Sequence, residues 1–168
     1  EPDTADSERV GRLRAVLRED LATEQIGRFV LGSTGRDGAA PEALDQYEAL
    51  FPDFIATAFA AEIGELATRE IRIDDVVRRR PDEVIVRSTL IGSSGREAAD
   101  IDWRVRLIDG EPRLLDVLVE RVSPILTKRE EINALLSRGG MESVIGHMQT
   151  VIATQGDPGA MPDPQPER

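Results

Sequence analysis

The chain has 168 residues, a formal net charge of -11 and a hydrophobic fraction of 40%, which fits one ordinary domain with a substantial core. So acidic a chain is a poor candidate for nucleic-acid binding, which depends on neutralising phosphates, or for attachment to an anionic bilayer by charge alone. The lack of cysteine excludes disulfides, thiolate metal sites and cysteine nucleophiles, and the single histidine, His147, excludes a multi-histidine metal site within one chain.

Two further features of the sequence bear on membranes and export. No apolar run approaches the roughly 20 residues that a transmembrane helix needs, so we expect no stable membrane insertion. The chain opens with the polar residues 1–8 rather than with a basic residue and an apolar block. Either it carries no signal peptide, or it is a mature chain that begins after one.

The first part of the sequence has the apolar spacing of α-helices. Apolar residues recur at helical intervals over 10–17 and again over 26–30. Gly32 is placed to end the second of these helices, because glycine favours the left-handed conformation of a helix C-terminus. The glycine-rich residues 32–38 are then predicted to form a loop.

A third helix is predicted after this loop. Pro41 suits its first turn, where the missing amide proton costs nothing. The apolar positions of the helix run over 44–63. Pro52 lies inside this pattern and should kink or divide the helix, because it removes a donor and clashes with the preceding turn.

The middle of the sequence changes to the alternation typical of β-strands. Apolar and polar residues alternate along most of it, and β-branched residues are frequent. Short turns separate the alternating segments. Strands joined by such short connections must be antiparallel, and Asp109 followed by Gly110 is a strong hairpin signal. The predicted strands are 71–73, 84–91, 101–107 and 115–119.

The last part of the sequence returns to helical spacing. Residues 127–130 match a capping box that should start one helix. Gly139 and Gly140 should end that helix before a further one over 141–152.

The order of these elements predicts an α+β fold. A twisted antiparallel sheet of about four strands is clasped on one face by helices from both ends of the chain, with an apolar pocket between sheet and helices if these layers do not close completely. We predict that residues 1–155 form this single domain. The proline-rich, acidic residues 156–168 are predicted to be a disordered tail.

Candidate catalytic groups are few. His147 has no recognisable partner and is predicted to lie on a helix surface. The arginines at 78–80 directly precede Pro81 and are predicted to form a solvated turn rather than a phosphate site. Asp116 would be a general base if it pointed inward, since burial would raise its pKa, but alternation favours an outer position beside an arginine of a neighbouring strand.

Three stretches of the chain resemble one known family. Residues 20–32 are similar to its short helix that ends in Leu-Gly, and residues 41–63 to its aromatic-rich helix. Residues 116–144 are similar to its strand that ends near Val-Ser, its Thr-initiated helix and its final helix after Gly-Gly. In this order the chain resembles MlaC, the toluene-tolerance auxiliary component family. Arg121 and Pro124 depart from the family's usual Gly and Met.

The resemblance implies a soluble, periplasmic, non-enzymatic protein of the Mla phospholipid transport system. Its ligand would be a phospholipid or fatty acyl chain, with no other cofactor. Its partners would be an inner-membrane ABC transporter complex with a substrate-binding membrane component, and an outer-membrane lipoprotein or porin complex. Shuttling lipid between them would serve the lipid asymmetry of the outer membrane.

We expect the acyl chains of such a ligand to lie between the sheet and the helices. Few polar groups should touch the tails, because an unpaired buried polar atom costs around 1–3 kcal/mol. The predicted lipid-binding residues are Phe51, Phe54, Ile55, Phe59, Val86, Leu90, Trp103, Val105, Val117, Val119, Leu135 and Ile145.

Two other classes of protein stay open at this point. A small α+β cone enzyme of the ketosteroid-isomerase type would use an inward acid, Asp116 or Asp102, as general base. A pure interaction module would have a filled core. An acid in the pocket beside a tyrosine or a second acid favours the enzyme, whereas an all-apolar pocket favours the carrier.

Overall fold

Four α-helices and one four-stranded sheet make up the described part of the protein, residues 2–64, 66 and 69–155 of a computed structural model. Three helices precede the sheet and one follows it, which confirms the predicted α+β class. The tail predicted over 156–168 lies outside the described residues. The elements are α1 (Pro2–Asp20), α2 (Thr23–Gly38), α3 (Pro41–Ile63), β1 (Glu70–Arg80), β2 (Glu83–Ile91), β3 (Glu97–Ile108), β4 (Glu111–Val119) and α4 (Pro124–Gln155).

The sheet is an antiparallel meander, in which each strand pairs with the next one along the chain. The hairpin between β3 and β4 is confirmed, since Asp109 and Gly110 have φ angles of 53° and 80°, the left-handed pair that its tight turn requires. All four predicted strands are present and longer than expected. The solvated turn predicted at 78–80 is wrong, because β1 continues through these arginines to Arg80.

The pairing register sorts the strand side chains onto two faces, because successive side chains point to opposite sides of a strand. One side, here the apolar face, is buried at Leu90, Ile101 and Val117 and agrees with the dry face expected from alternation. The opposite side is here the charged face. It carries Glu83, Ile85, Asp102, Arg104, Arg106, Asp116 and Leu118.

The helices approach the sheet through its edge strand β4, which contacts both α1 and α4. Leu21 pairs with Leu114 in a short parallel bridge, and the amide of Ala22 donates to the Leu114 carbonyl at 2.9 Å. Side chains of the apolar face then join helix side chains in one hydrophobic core. This arrangement leaves part of the charged face beside α2 and the start of α4.

Helix α3 contains Pro52 inside its span. The helix is continuous from Pro41 to Ile63, so of the two predicted effects of Pro52 the division is wrong, and the kink stays a prediction. Proline removes one backbone donor, but the adjacent Phe51 and Phe54 are only 2% and 0% exposed. Burying each such side chain stabilises the structure by roughly 1.5–3 kcal/mol, which offsets the lost hydrogen bond.

Helix α2 is interrupted where glycine was expected to end it, but it does not stop there. Gly32 has a φ of 70°, and helical backbone then resumes and continues to Gly38, so the predicted loop is wrong. The resumed turn is packed against its surroundings at Gly35. A Cβ at this position would lie 2.6 Å from Leu31 Cδ1, so only glycine fits without a shift.

Helix α4 begins at Pro124, one turn before the predicted capping box at Thr127. Ser123 is the actual cap, because its Oγ accepts a hydrogen bond from the Leu126 amide at 3.1 Å. The predicted break at Gly139 and Gly140 is confirmed, since both have non-helical backbone angles.

Candidate functional site

A crevice opens between the charged face of the sheet, the first half of α2 and the start of α4. Its volume of about 350 Å³ lies near the lower end of the range of roughly 300–1,000 Å³ that is typical of small-molecule sites. Both polar and apolar side chains line it. The polar lining consists of Gln25, Arg79, Asp102, Arg104, Arg106, Asp116 and Ser123.

The apolar lining comes mainly from the helices and from β4. Ile26 and Phe29 stand one turn apart on α2 and therefore face the same way. Phe29 is 42% exposed and Leu126 is 53% exposed, so the apolar end of the crevice is open to solvent. The Arg129 guanidinium lies 4.4 Å above the Phe29 ring. The apolar lining residues are Ile26, Phe29, Ile85, Leu115, Leu118, Ile125 and Leu126.

Two arginines of the crevice are held by one buried carboxylate. Arg104 Nε lies 2.5 Å from Glu83 Oε1, and Arg106 Nη2 lies 2.6 Å from Glu83 Oε2. The hydrogen bond from Arg104, with that from Arg106, lowers the pKa of Glu83 to about 2, although burial acts in the opposite direction. Glu83 therefore stays ionised and fixes both guanidinium groups on the charged face.

Asp116 lies on the charged face and borders the crevice, where alternation predicted an outer position beside an arginine of a neighbouring strand. It is opposite Arg104 in the register, as expected, but only 8% exposed. Burial raises the pKa of Asp116. The Ser123 hydroxyl donates to one carboxylate oxygen at 2.5 Å and the Val117 amide to the other at 2.9 Å. One oxygen of Asp116 thus holds Ser123, the cap of α4, while the other accepts from the adjacent amide of β4, so both oxygens have a structural role.

The crevice meets part of the expectation for a ketosteroid-isomerase-like site. Asp102 and Asp116 both border it, so the pair of acids expected of the enzyme is present, and the lining is not the all-apolar one expected of the carrier. Both oxygens of Asp116, however, already accept hydrogen bonds. Tyr47, the single tyrosine of the chain, is buried in the core, where its hydroxyl donates to the Gly27 carbonyl at 2.9 Å. Burial, reinforced by Glu48, raises the pKa of Tyr47 and keeps the phenol protonated.

His147, predicted to lie on a helix surface, is partly buried on α4, with 25% of its side chain exposed. Its Nε2 lies 3.0 Å from Glu131 Oε1, and its ring meets the Phe54 ring edge-on at 5.9 Å between centroids. Within the residues that the structure describes, no cluster of three or more histidine or acidic side chains is arranged to hold a metal ion. Across those same residues, no helix is both long and apolar enough to cross a bilayer.

The predicted lipid-binding residues lie behind the crevice rather than along it. The six strand residues of that set share the apolar face. The helical residues Phe51, Phe54, Ile55 and Phe59 are fully buried in the core. Phe51 also borders a smaller cavity of about 170 Å³ between α2 and α3. Whether any of the set contacts a ligand stays a prediction.

Several crevice residues escaped the sequence reading. Ile26 and Phe29 were recognised only as a helical pattern, and Ile85 only as part of a strand. The arginines at 78–80 were noticed, but their placement depends on a register shift in β1 that has no simple sequence signal.

Comparisons with known proteins agree with this fold. Residues 1–150 match the family described as MlaC protein. A solved structure of a phospholipid-binding protein from Ralstonia solanacearum, in complex with a phospholipid, is similar with a TM-score of 0.64 and 16% sequence identity. The match covers 83% of this chain and 77% of that chain, and at this identity it concerns the fold. Because the family match spans nearly the whole sequence, the chain belongs to the MlaC family.

Proposed function

We propose that this protein is a phospholipid-binding carrier and that the crevice holds at least one acyl chain of its ligand. The observation that carries the proposal is the joining of an exposed apolar lining, at Phe29 and Leu126, to an arginine-bearing wall within one cavity. A phospholipid has the same division between tails and phosphate. The phospholipid bound to the similar Ralstonia solanacearum protein supports the choice of ligand.

The energetics of transport favour an open crevice over a sealed pocket. Each buried methylene contributes about 0.8 kcal/mol, and a bilayer offers the tails nearly the same environment. A carrier that held its ligand much more strongly than a membrane does would not release it. Partial exposure of the apolar lining reduces the area of the acyl chain that binding removes from water. It therefore keeps the free energy of binding to the carrier close to that of residence in a membrane.

A ligand with two acyl chains needs more room than the crevice of about 350 Å³ offers. The backbone break at Gly32 lies one turn after Phe29 and gives the lining half of α2 a place to move relative to the rest of the helix. Outward movement of this half would enlarge the crevice without unfolding the core. The predicted residues of the apolar face would contact lipid only if such an opening reached the core.

The finer role that we propose is transport across the periplasm. The partners would be an inner-membrane ABC transporter complex with its substrate-binding membrane component and an outer-membrane lipoprotein or porin complex. Membership of the MlaC family supports this assignment.

The direct test is organic extraction of the purified protein followed by mass spectrometry. We expect phospholipid at close to one molecule per chain. A preparation that carries no lipid and takes none up from vesicles would contradict the proposal.

A pair of variants then locates the site. Phe29→Asp puts a charge in the apolar lining and should reduce the bound lipid strongly, because the carboxylate must be desolvated by the tail. Val16→Asp is the matched control, since Val16 is 52% exposed on α1 and does not border the crevice. Equal lipid content in both variants would place the ligand elsewhere.

A further inference from the structure

Arg79 differs from the other two arginines of the crevice, because no carboxylate of the described residues pairs with it. Arg104 and Arg106 share Glu83, and Arg106 also lies 3.9 Å from Asp82. Arg79 takes part in no ion pair within the described residues, and its side chain is exposed at the crevice. An arginine at the wall of a cavity is therefore available to an anionic ligand.

The position of Arg79 is set by the irregular pairing of β1 with β2. Val77 lies opposite Ile85, and Arg78 lies opposite Val84. The register then shifts, so that the next pair joins Arg80 to Glu83 and leaves Arg79 without a partner. Arg79 borders the crevice together with Ile85, whereas Arg78 does not border it.

Arg79 and most of the apolar lining lie at opposite ends of the crevice. With neighbouring strands about 4.8 Å apart, it extends roughly 14 Å from β1 to β4. Arg79 stands at the β1 end, while Leu115 and Leu118 of β4 lie at the other end, together with Ile26 and Phe29 of α2. Asp116 also lies at the β4 end, but both of its oxygens already accept hydrogen bonds within the protein. A ligand with an anionic head and an apolar tail matches this order of side chains.

We propose that Arg79 binds the phosphate group of the lipid while an acyl chain lies against α2 and β4. A guanidinium group offers two parallel N–H donors to a phosphate, a charge-assisted pair stronger than a neutral hydrogen bond. The local cation also counteracts the repulsion that a chain of net charge -11 exerts on an anionic ligand. The inference rests on the proposed function and adds the orientation of the ligand to it.

The test compares two lipids that share one acyl chain, a lysophosphatidate and the uncharged monoacylglycerol, titrated calorimetrically into the delipidated full chain. Arg79→Gln should weaken lysophosphatidate binding about tenfold or more, as expected for a lost hydrogen bond to a charged group. Monoacylglycerol binding should not change. Arg78→Gln, the adjacent arginine outside the crevice, should leave both affinities as they are.

Each other outcome has a definite meaning. An equal loss for both lipids in Arg79→Gln, or no loss for either, overturns the role of Arg79 while the lipid-binding function stands. A wild-type chain that binds neither lipid overturns the proposed function itself. Glycerol 3-phosphate, titrated alone, separates the sources of the phosphate: binding as tight as that of lysophosphatidate would mean a site for free phosphate esters and would overturn the assignment to a lipid headgroup.

Discussion

Glu83 shows how a single residue shapes the charged wall of the crevice. Its carboxylate lies between Arg104 and Arg106, and its pKa is lowered to about 2. Without it, two guanidinium groups would face each other across neighbouring positions of β3. The sequence contains all three residues, but their meeting depends on the register of β2 against β3, which places Glu83 opposite Arg106.

Replacing this carboxylate should destabilise the fold in a pH-dependent way. Glu83→Gln should lower the free energy of unfolding at pH 7 by roughly 1–3 kcal/mol, since two partly buried guanidinium groups lose their counter-charge and one of its two acceptor oxygens. Because the folded-state pKa is depressed, the stabilisation is complete above the ordinary value of 4.5 and is lost as the pH falls toward 2. Urea unfolding of the wild type and the variant measures the loss of unfolding free energy at pH 7 and shows whether this loss is smaller at pH 3.

The matched control for this change is Glu111→Gln, which neutralises an exposed carboxylate at the start of β4. It should alter stability by a few tenths of a kcal/mol at most, as surface substitutions usually do. A loss in Glu83→Gln that is no larger than the control's, or that does not shrink at pH 3, would contradict the buried ion-pair role.

Within α4, substitutions at two glycines distinguish the effect of backbone strain on stability from the effect of packing. A Cβ at either Gly140 or Gly146 would meet nothing within 4 Å, but only Gly140 has a positive φ, 63°. Gly140→Ala should therefore destabilise the protein by about 1 kcal/mol, because alanine disfavours this conformation. Gly146→Ala should stabilise it by roughly 0.4–1 kcal/mol, since the site is helical. Thermal unfolding of the two variants measures both effects. Stabilisation by both substitutions would contradict the prediction and would mean that α4 is straight at Gly140.

The elements were largely predictable because their signals are local. Three of these signals depend on neighbouring residues alone: the spacing of the hydrophobic residues, the turn at Asp109 and Gly110, and the glycine break in α4. The start of α4 was not predictable in this way, because both Ser123 and Thr127 are residues that can cap a helix. Ser123 is the cap in the structure, where its hydroxyl also donates to Asp116. The resumed helix after Gly32 likewise depends on packing at Gly35 that no local pattern reveals.

Whether lipid lies on the charged or on the apolar face can be read from Trp103, the single tryptophan. Its Nε1 donates to Ser88 Oγ at 2.9 Å on the apolar face. Acyl chains brominated along their length quench tryptophan fluorescence on contact. With the ligand in the crevice, we expect weak quenching of Trp103 and strong quenching in an Ile85→Trp, Trp103→Phe variant. Strong quenching of Trp103 would instead support the residues predicted from alternation.

For the whole molecule, net charge and local chemistry act in opposite directions. The chain carries a charge of -11, yet the crevice presents an apolar lining and Arg79, which pairs with no carboxylate in the part of the chain that the structure describes. Composition was enough to argue against adhesion to anionic surfaces. It could not reveal the crevice, because its two kinds of lining come from sequence-distant elements, residues 25–29, 79–85 and 102–126, that only the fold brings together.

The balance between the acidic net charge and the positive charge at the crevice predicts the salt dependence of lipid uptake. A strongly acidic protein is repelled by vesicles of anionic phospholipid, and salt screens this repulsion over about 8 Å at physiological ionic strength. Uptake of a fluorescent phospholipid from anionic vesicles, followed by stopped flow, should therefore become faster as salt is raised. Uptake from zwitterionic vesicles of the same chain length should change little. A rate from anionic vesicles that falls with added salt would instead mean that attraction at the arginine end of the crevice, and not the overall charge, controls the encounter.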